Sequence, residues 1–157
     1  MKNKIFPILP SSKNIIGILG GGQLGKMIAI SATKLGYETY LYCPKGDNPA
    51  EEVVSKVYNG SWDDLQKIDN FASKIVCATS EFENVPSAVL DRISKKTLVF
   101  PNAIAFKNAQ NRDREKKIAT QAGFKVPKWY KVDKLIDFQK YSKKLNFNAI
   151  LKTNSLG

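Results

Sequence analysis

Ile15-Ile16-Gly17-Ile18-Leu19 runs straight into Gly20-Gly21-Gly22-Gln23-Leu24-Gly25, and no other stretch narrows the choice of fold as far. An unbroken apolar run suits a central parallel strand buried on both faces. Gly20, Gly22 and Gly25 follow a G-x-G-x-x-G spacing, which allows a tight turn and lets backbone N–H groups approach an anion at a helix N-terminus. Leu24, Met27, Ile28, Ile30, Ala32 and Leu35 then recur at helical spacing as far as Gly36, where a left-handed glycine ends the helix. Strand, turn and helix at the head of an α/β sheet are predicted.

The same rhythm continues. Residues 38–42, 55–59, 75–79 and 98–100 read as strands, and 63–73 and 86–93 as helices, with Pro86 suited to a first helical turn. Helices alternating with short strands mean a doubly wound parallel sheet, whose ligands bind at the carboxyl ends of the strands. The glycine turn and Glu81-Phe82-Glu83-Asn84 both fall at such ends. In extended backbone, positions 81 and 83 share a face, and two carboxylates there suit ribose hydroxyls or an amine. A solvated acidic loop before a helix is the other reading of these residues. Past Asn102 the texture changes. Residues 103–122 read as one or two helices ended by Gly123, 129–132 as a strand, 134–145 as a helix and 149–152 as a strand, the opening of a second domain that the sequence does not complete.

Composition bounds the chemistry. The 157 residues contain no histidine, which removes Ser-His and Cys-His nucleophile pairs and His-ligated zinc. Cys43 and Cys77 have no nearby cysteine in the sequence and read as structural thiols. The net charge of +11 is uneven: residues 107–157 carry 13 basic and four acidic side chains, residues 1–106 carry 12 and ten. A basic segment suits nucleic acid, a phosphate-rich ligand or an acidic partner, but the lysines lie at helical spacing without interleaved aromatics, so a solvated face is expected and nucleic acid is not. No stretch approaches the roughly 20 apolar residues of a membrane span. Residues 1–13 read as a loose extension rather than a signal peptide, because Pro7 and Pro10 break a short apolar run. A cytoplasmic location follows as the expectation.

A G-x-G-x-x-G turn also suits an NAD-dependent oxidoreductase. That reading requires an acid closing the second strand to hold the ribose hydroxyls. The sequence there is Tyr40-Leu41-Tyr42-Cys43-Pro44-Lys45, without one. A non-catalytic nucleotide-binding or interaction module is a further alternative.

Taken in order, Ile18-Leu19-Gly20-Gly21-Gly22-Gln23-Leu24-Gly25-Lys26-Met27, Glu81-Phe82-Glu83-Asn84-Val85-Pro86, Gln110-Asn111-Arg112 with Lys116, Leu151-Lys152-Thr153 and Leu156-Gly157 resemble the 5-(carboxyamino)imidazole ribonucleotide synthases, ATP-grasp enzymes of purine biosynthesis. The resemblance implies a Rossmann-like pre-ATP-grasp domain over residues 14–106 and the beginning of an α+β ATP-grasp domain over 107–157. It implies an ATP-dependent carbon–nitrogen ligase that joins bicarbonate to 5-aminoimidazole ribonucleotide, with magnesium, as a monomer or homodimer. Gly22, Gln23, Leu24, Glu81 and Glu83 would face the ribonucleotide, and Arg112 and Lys152 would contact ATP. No catalytic side chain or metal ligand is assigned within these residues. The family's phosphate-covering loop, adenine segment and magnesium ligands would follow residue 157, so the chain alone is expected to be inactive. The family commonly has arginine where Lys26 stands, tyrosine where Ser80 stands and an acid near Cys43.

Overall fold

A computed structural model describes residues 14–155; the extension at 1–13 and Leu156-Gly157 lie outside the described residues. The chain divides between Phe106 and Lys107 into two units.

The first unit is a five-stranded, wholly parallel sheet in the order β3-β2-β1-β4-β5. Its strands are β1 (Ile16–Leu19), β2 (Thr39–Cys43), β3 (Lys56–Asn59), β4 (Cys77–Ser80) and β5 (Leu98–Val99). Side chains alternate across the sheet, so neighbouring residues join different cores. Ile18, Leu41 and Cys43 pack with Ala29 and Ala50 on one face. Leu19 and Tyr42 pack with Ile68, Phe71, Leu90 and Ile93 on the other. Both faces are covered, which is why the strands read as continuous apolar runs. Cys77 opens β4 rather than closing a strand.

The helices are α1 (Gln23–Lys34), α2 (Leu65–Ala72), α3 (Ser87–Ser94) and α4 (Ala103–Ala109). Helix α1 turns Gly25, Ala29 and Ala32 to the sheet, small side chains that allow close packing. It ends at Gly36 with φ of 82°, and the Tyr37 N–H donates back to the Ala32 carbonyl at 3.0 Å. The Asp64 carboxylate caps α2 by accepting the Lys67 N–H at 3.0 Å. Pro86 is the residue before α3, not its first turn. A 3-10 turn, Pro49–Glu52, links β2 to β3.

Residues 103–122 prove to be two helices, α4, within which the boundary falls, and α5 (Arg112–Gln121), and the second unit continues to α6 (Leu135–Lys144). Asn111 caps α5 through the Arg114 N–H at 3.0 Å. The strands expected at 129–132 and 149–152 do not form. Apolar alternation alone makes no strand: backbone N–H and C=O groups need a neighbouring strand, and none exists among the described residues of this unit. Ile150 and Leu151 remain 82% and 67% exposed, and no described residue after Phe106 is buried. The aromatics are interleaved with lysines after all. Tyr130 stacks on Tyr141 with ring centroids 4.3 Å apart, and Lys128, Lys140 and Lys144 lie over their faces. Among the described residues, no helix is long and apolar enough to cross a membrane.

Arg92 of α3 clamps Asp69 of α2 through Nε and one terminal nitrogen at 2.8 and 2.6 Å, with Lys96 beside them. The Arg92 hydrogen bonds hold the Asp69 carboxyl below its usual range. A depressed folded-state value stabilises the fold above the unfolded aspartate value of about 3.9, and that stability is lost as pH falls through the folded value. Thermal melts from about pH 5 to about pH 3 are therefore expected to show Tm falling more steeply in the unaltered chain than in Asp69→Asn. Parallel curves would show that the pair adds nothing.

Candidate functional site

The strand order reverses between β1 and β4, and in open α/β sheets ligands bind in the crevice outside the strand ends at that point. Two segments meet there. Gly20–Gly22 leaves β1, and Ser80–Glu81 leaves β4. Backbone bonds carry the sheet one step beyond its strands: the Gly20 N–H donates to the Tyr42 carbonyl at 2.9 Å, and the Glu81 N–H to the Leu19 carbonyl at 3.0 Å. The Ser80 hydroxyl lies 2.9 Å from the Phe82 carbonyl and 3.3 Å from that of Leu19, so this short side chain holds the turn where the family's tyrosine was expected.

The glycine turn is not an open phosphate cradle. Helix α1 has no side-chain cap of its own and no acid in its first turn. Glu81 supplies both from the neighbouring strand end: its Oε1 accepts the Gly22 N–H at 3.1 Å. The carboxylate sits where the helix dipole favours negative charge. Gly20 takes φ of 100°, and a Cβ there would lie 2.6 Å from Glu81 Cγ. The glycines thus make room for a carboxylate of the chain itself. A pyrophosphate at the same helix end would meet that negative charge, which opposes the dinucleotide reading.

The other expected residues are placed differently. Gln23 and Leu24 open α1 and are exposed. Leu24 lies with Met27, Leu35 and Tyr37 along an open apolar groove of about 550 Å³ that has Glu81 in its lining. Glu83 does not join Glu81. Residues 81–84 bend and turn instead of running extended, so the shared face expected of 81 and 83 does not exist, and Glu83 is exposed beside Asn84. Phe82 anchors the bend, its ring tilted against Trp62 with centroids 6.4 Å apart, and Trp62 lies tilted against buried Tyr42 at 5.5 Å.

Sequence reasoning missed the polar group behind the turn. Glu51 of the 3-10 turn accepts at Oε1 from Asn59 Nδ2 at 2.8 Å, from Asn48 Nδ2 at 2.9 Å and from the Cys43 thiol at 3.6 Å. Cys43 is fully buried, and burial with the Glu51 charge pushes its thiol up to about 12, an inert sulfur. A carboxylate thus stands at the end of β2 although the strand ends in cysteine. No local pattern marks this, because Glu51 arrives from the following turn.

Within the second unit, Arg112 and the 152–154 segment come together. Arg112 Nε donates to the Thr153 carbonyl at 3.0 Å and its N–H to the Asn154 carbonyl at 3.0 Å. That contact fixes one edge of the guanidinium on the backbone that follows Lys152. Among the described residues no three His, Cys, Asp or Glu converge as a metal site.

A family model described as the ribonucleotide synthetase preATP-grasp domain matches residues 13–110. The chain belongs to this family. Among members of known name, the bifunctional purine synthesis protein purC/E of Dictyostelium discoideum is 33% identical over 96% of the chain and 15% of its own length. The N5-carboxyaminoimidazole ribonucleotide synthase of Brucella melitensis is 36% identical over 75% of the chain and 33% of its own length. The crystal structure of the Staphylococcus aureus N5-carboxyaminoimidazole synthetase with ADP superposes with a TM-score of 0.82 at 33% identity, covering 94% of this chain and 40% of that one. The chain spans about a third of the curated single-function synthases it matches. The preATP-grasp match coincides with the sheet and the Glu81 crevice, and ends within the segment leading to α5.

Gly20→Ala forces a side chain into a left-handed backbone and into Glu81. It is expected to destabilise the chain by about 1–3 kcal/mol in urea titration and to speed amide exchange at Gly22. An unchanged midpoint and exchange rate would show that the turn tolerates a Cβ.

Proposed function

We propose that this chain is the N-terminal portion of an N5-carboxyaminoimidazole ribonucleotide synthase, and that its first unit binds 5-aminoimidazole ribonucleotide. The Glu81 carboxylate on the Gly22 N–H, at the reversal of strand order, carries the reading. A carboxylate accepts about four hydrogen bonds, so one backbone donor leaves capacity for a ribose hydroxyl or the amine. Gln23 and Leu24, one and two residues beyond that donor, flank the same crevice. Glu83, exposed in the bend, is proposed to contribute less.

The complete reaction joins the ribonucleotide's amine to bicarbonate at the expense of ATP, giving a carbamate, ADP and phosphate. Arg112 and Lys152 are proposed to meet ATP phosphates. Positioning and charge neutralisation suffice for such chemistry, in agreement with a chain that has no histidine. Magnesium is proposed to enter with ATP. We place the protein in the cytoplasm and propose a homodimer, supported by exposed Met27 and Ile30 on α1 and Leu35 just beyond it. Sedimentation velocity is expected to show a concentration-dependent dimer that Met27→Glu dissolves; a monomer at every concentration would contradict it.

Calorimetric titration decides the ribonucleotide site. The chain is expected to bind 5-aminoimidazole ribonucleotide, and Glu81→Ala to weaken binding by about tenfold or more, since charge-assisted bonds contribute about 1.5–3 kcal/mol. No binding by the unaltered chain overturns the reading.

A further inference from the structure

The glycine turn is held from two sides. Glu81 holds it at Gly20 and Gly22. On the far side stands Asn48, the residue before the 3-10 turn. A Cβ on Gly21 would lie 2.6 Å from both Cβ and Cγ of Asn48, so the two are in close contact. Next to this contact the Ala50 N–H donates to the Gly21 carbonyl at 2.9 Å. Asn48 and the 3-10 turn are therefore the floor on which Gly21 rests.

What fixes the floor is Glu51. The Asn48 amide nitrogen lies 2.9 Å from the Pro44 carbonyl, 3.3 Å from that of Gly46 and 2.9 Å from Glu51 Oε1. These acceptors determine which end of the amide is the donor and leave Oδ1 toward Gly21. The same Glu51 oxygen takes Asn59 at the end of β3 and Cys43 at the end of β2. One atom thus ties two strand ends to the loop that supports the glycine turn. The Asn59 and Asn48 bonds hold the carboxyl below its usual range, so it remains an acceptor through the neutral pH range.

We infer that Glu51 is a positioning residue for the ribonucleotide site, acting through Asn48 on Gly21 and so on the Gly22 N–H that orients Glu81. The inference rests on the ribonucleotide reading proposed above. Glu51 touches no substrate in this role; it sets the geometry of groups that do, and small displacements there are felt strongly. All three bonds land on one oxygen, so glutamine keeps the acceptor and loses only the charge, whereas alanine removes the node.

The test compares Glu51→Ala, Glu51→Gln and Asp69→Asn in the full chain. Asp69 lies on α2, and its variant controls for general loss of stability. Amide exchange at Gly22 and Ala50 is read by NMR without ligand, and affinity for 5-aminoimidazole ribonucleotide by calorimetry. Glu51→Ala is expected to speed exchange at both amides and weaken affinity by about tenfold, the effect of taking a charged acceptor from partly buried donors. Glu51→Gln is expected to restore both, and Asp69→Asn to change neither. Exchange and affinity in Glu51→Ala that match Asp69→Asn overturn the inference, as does failure of Glu51→Gln to rescue. If the unaltered chain binds no ribonucleotide, the functional reading fails while the exchange data still decide whether Glu51 holds the turn.

Discussion

A single backbone N–H, that of Gly22, organises this site. It is an orphan donor at the start of α1, and the structure satisfies it with Glu81 from another strand 59 residues away. This choice couples two strand ends across the point where strand order reverses. It also changes what the glycine turn is for. Glycines at 20 and 22 admit a carboxylate rather than a phosphate. The familiar spacing here houses a carboxylate of the chain itself rather than an open anion cradle. The carboxylate depends in turn on its own loop, held by Ser80 across to β1 and by Phe82 on Trp62 and Tyr42.

The second unit follows a different physical logic. Its helices are locally well formed: Asn111 caps α5, and the Asp137 carboxylate accepts the Lys134 N–H at the start of α6. Yet it buries nothing among the described residues, and Phe124, Leu135, Phe147 and Ile150 stay exposed. Secondary structure here is stabilised by caps and by one aromatic stack rather than by a core. Helices close their hydrogen bonds within the segment and persist on such terms. Strands do not, which is why the helices expected from the sequence form and the strands do not.

The features read correctly from sequence are those decided locally or by period. The apolar run into the glycine turn, the helical stripe ended by Gly36, and the alternation that implies a parallel sheet all reduce to backbone geometry and burial. Two readings failed where tertiary context decides. The shared face of 81 and 83 presumed extended backbone, but Val85 and Phe82 both pack against the core and the chain must bend between them. The strands at 129–132 and 149–152 presumed pairing partners. The end of β2 carries no acid of its own, as read, but the Glu51 carboxylate reaches it from the next turn, which no local pattern shows. Arg112 and Thr153 lie 41 residues apart in sequence, and only the 153–154 backbone folding against the start of α5 shows that they meet.

Glu51 and Glu81 show how environment assigns different tasks to one functional group. Both stand beside the same glycine turn, and neither has a cation as its hydrogen-bond partner in the network described. Glu51 Oε1 takes three side-chain donors, two of them amides, and is thereby committed to structure. Glu81 takes one backbone donor at the mouth of the crevice and keeps acceptor capacity. The difference lies in how many donors the surrounding loops supply, not in the residue type. Two negative groups flanking one turn also raise the local demand for positive charge or proton donors. The ribonucleotide proposed above would meet that demand with its hydroxyls or amine, and not its phosphate, toward Glu81.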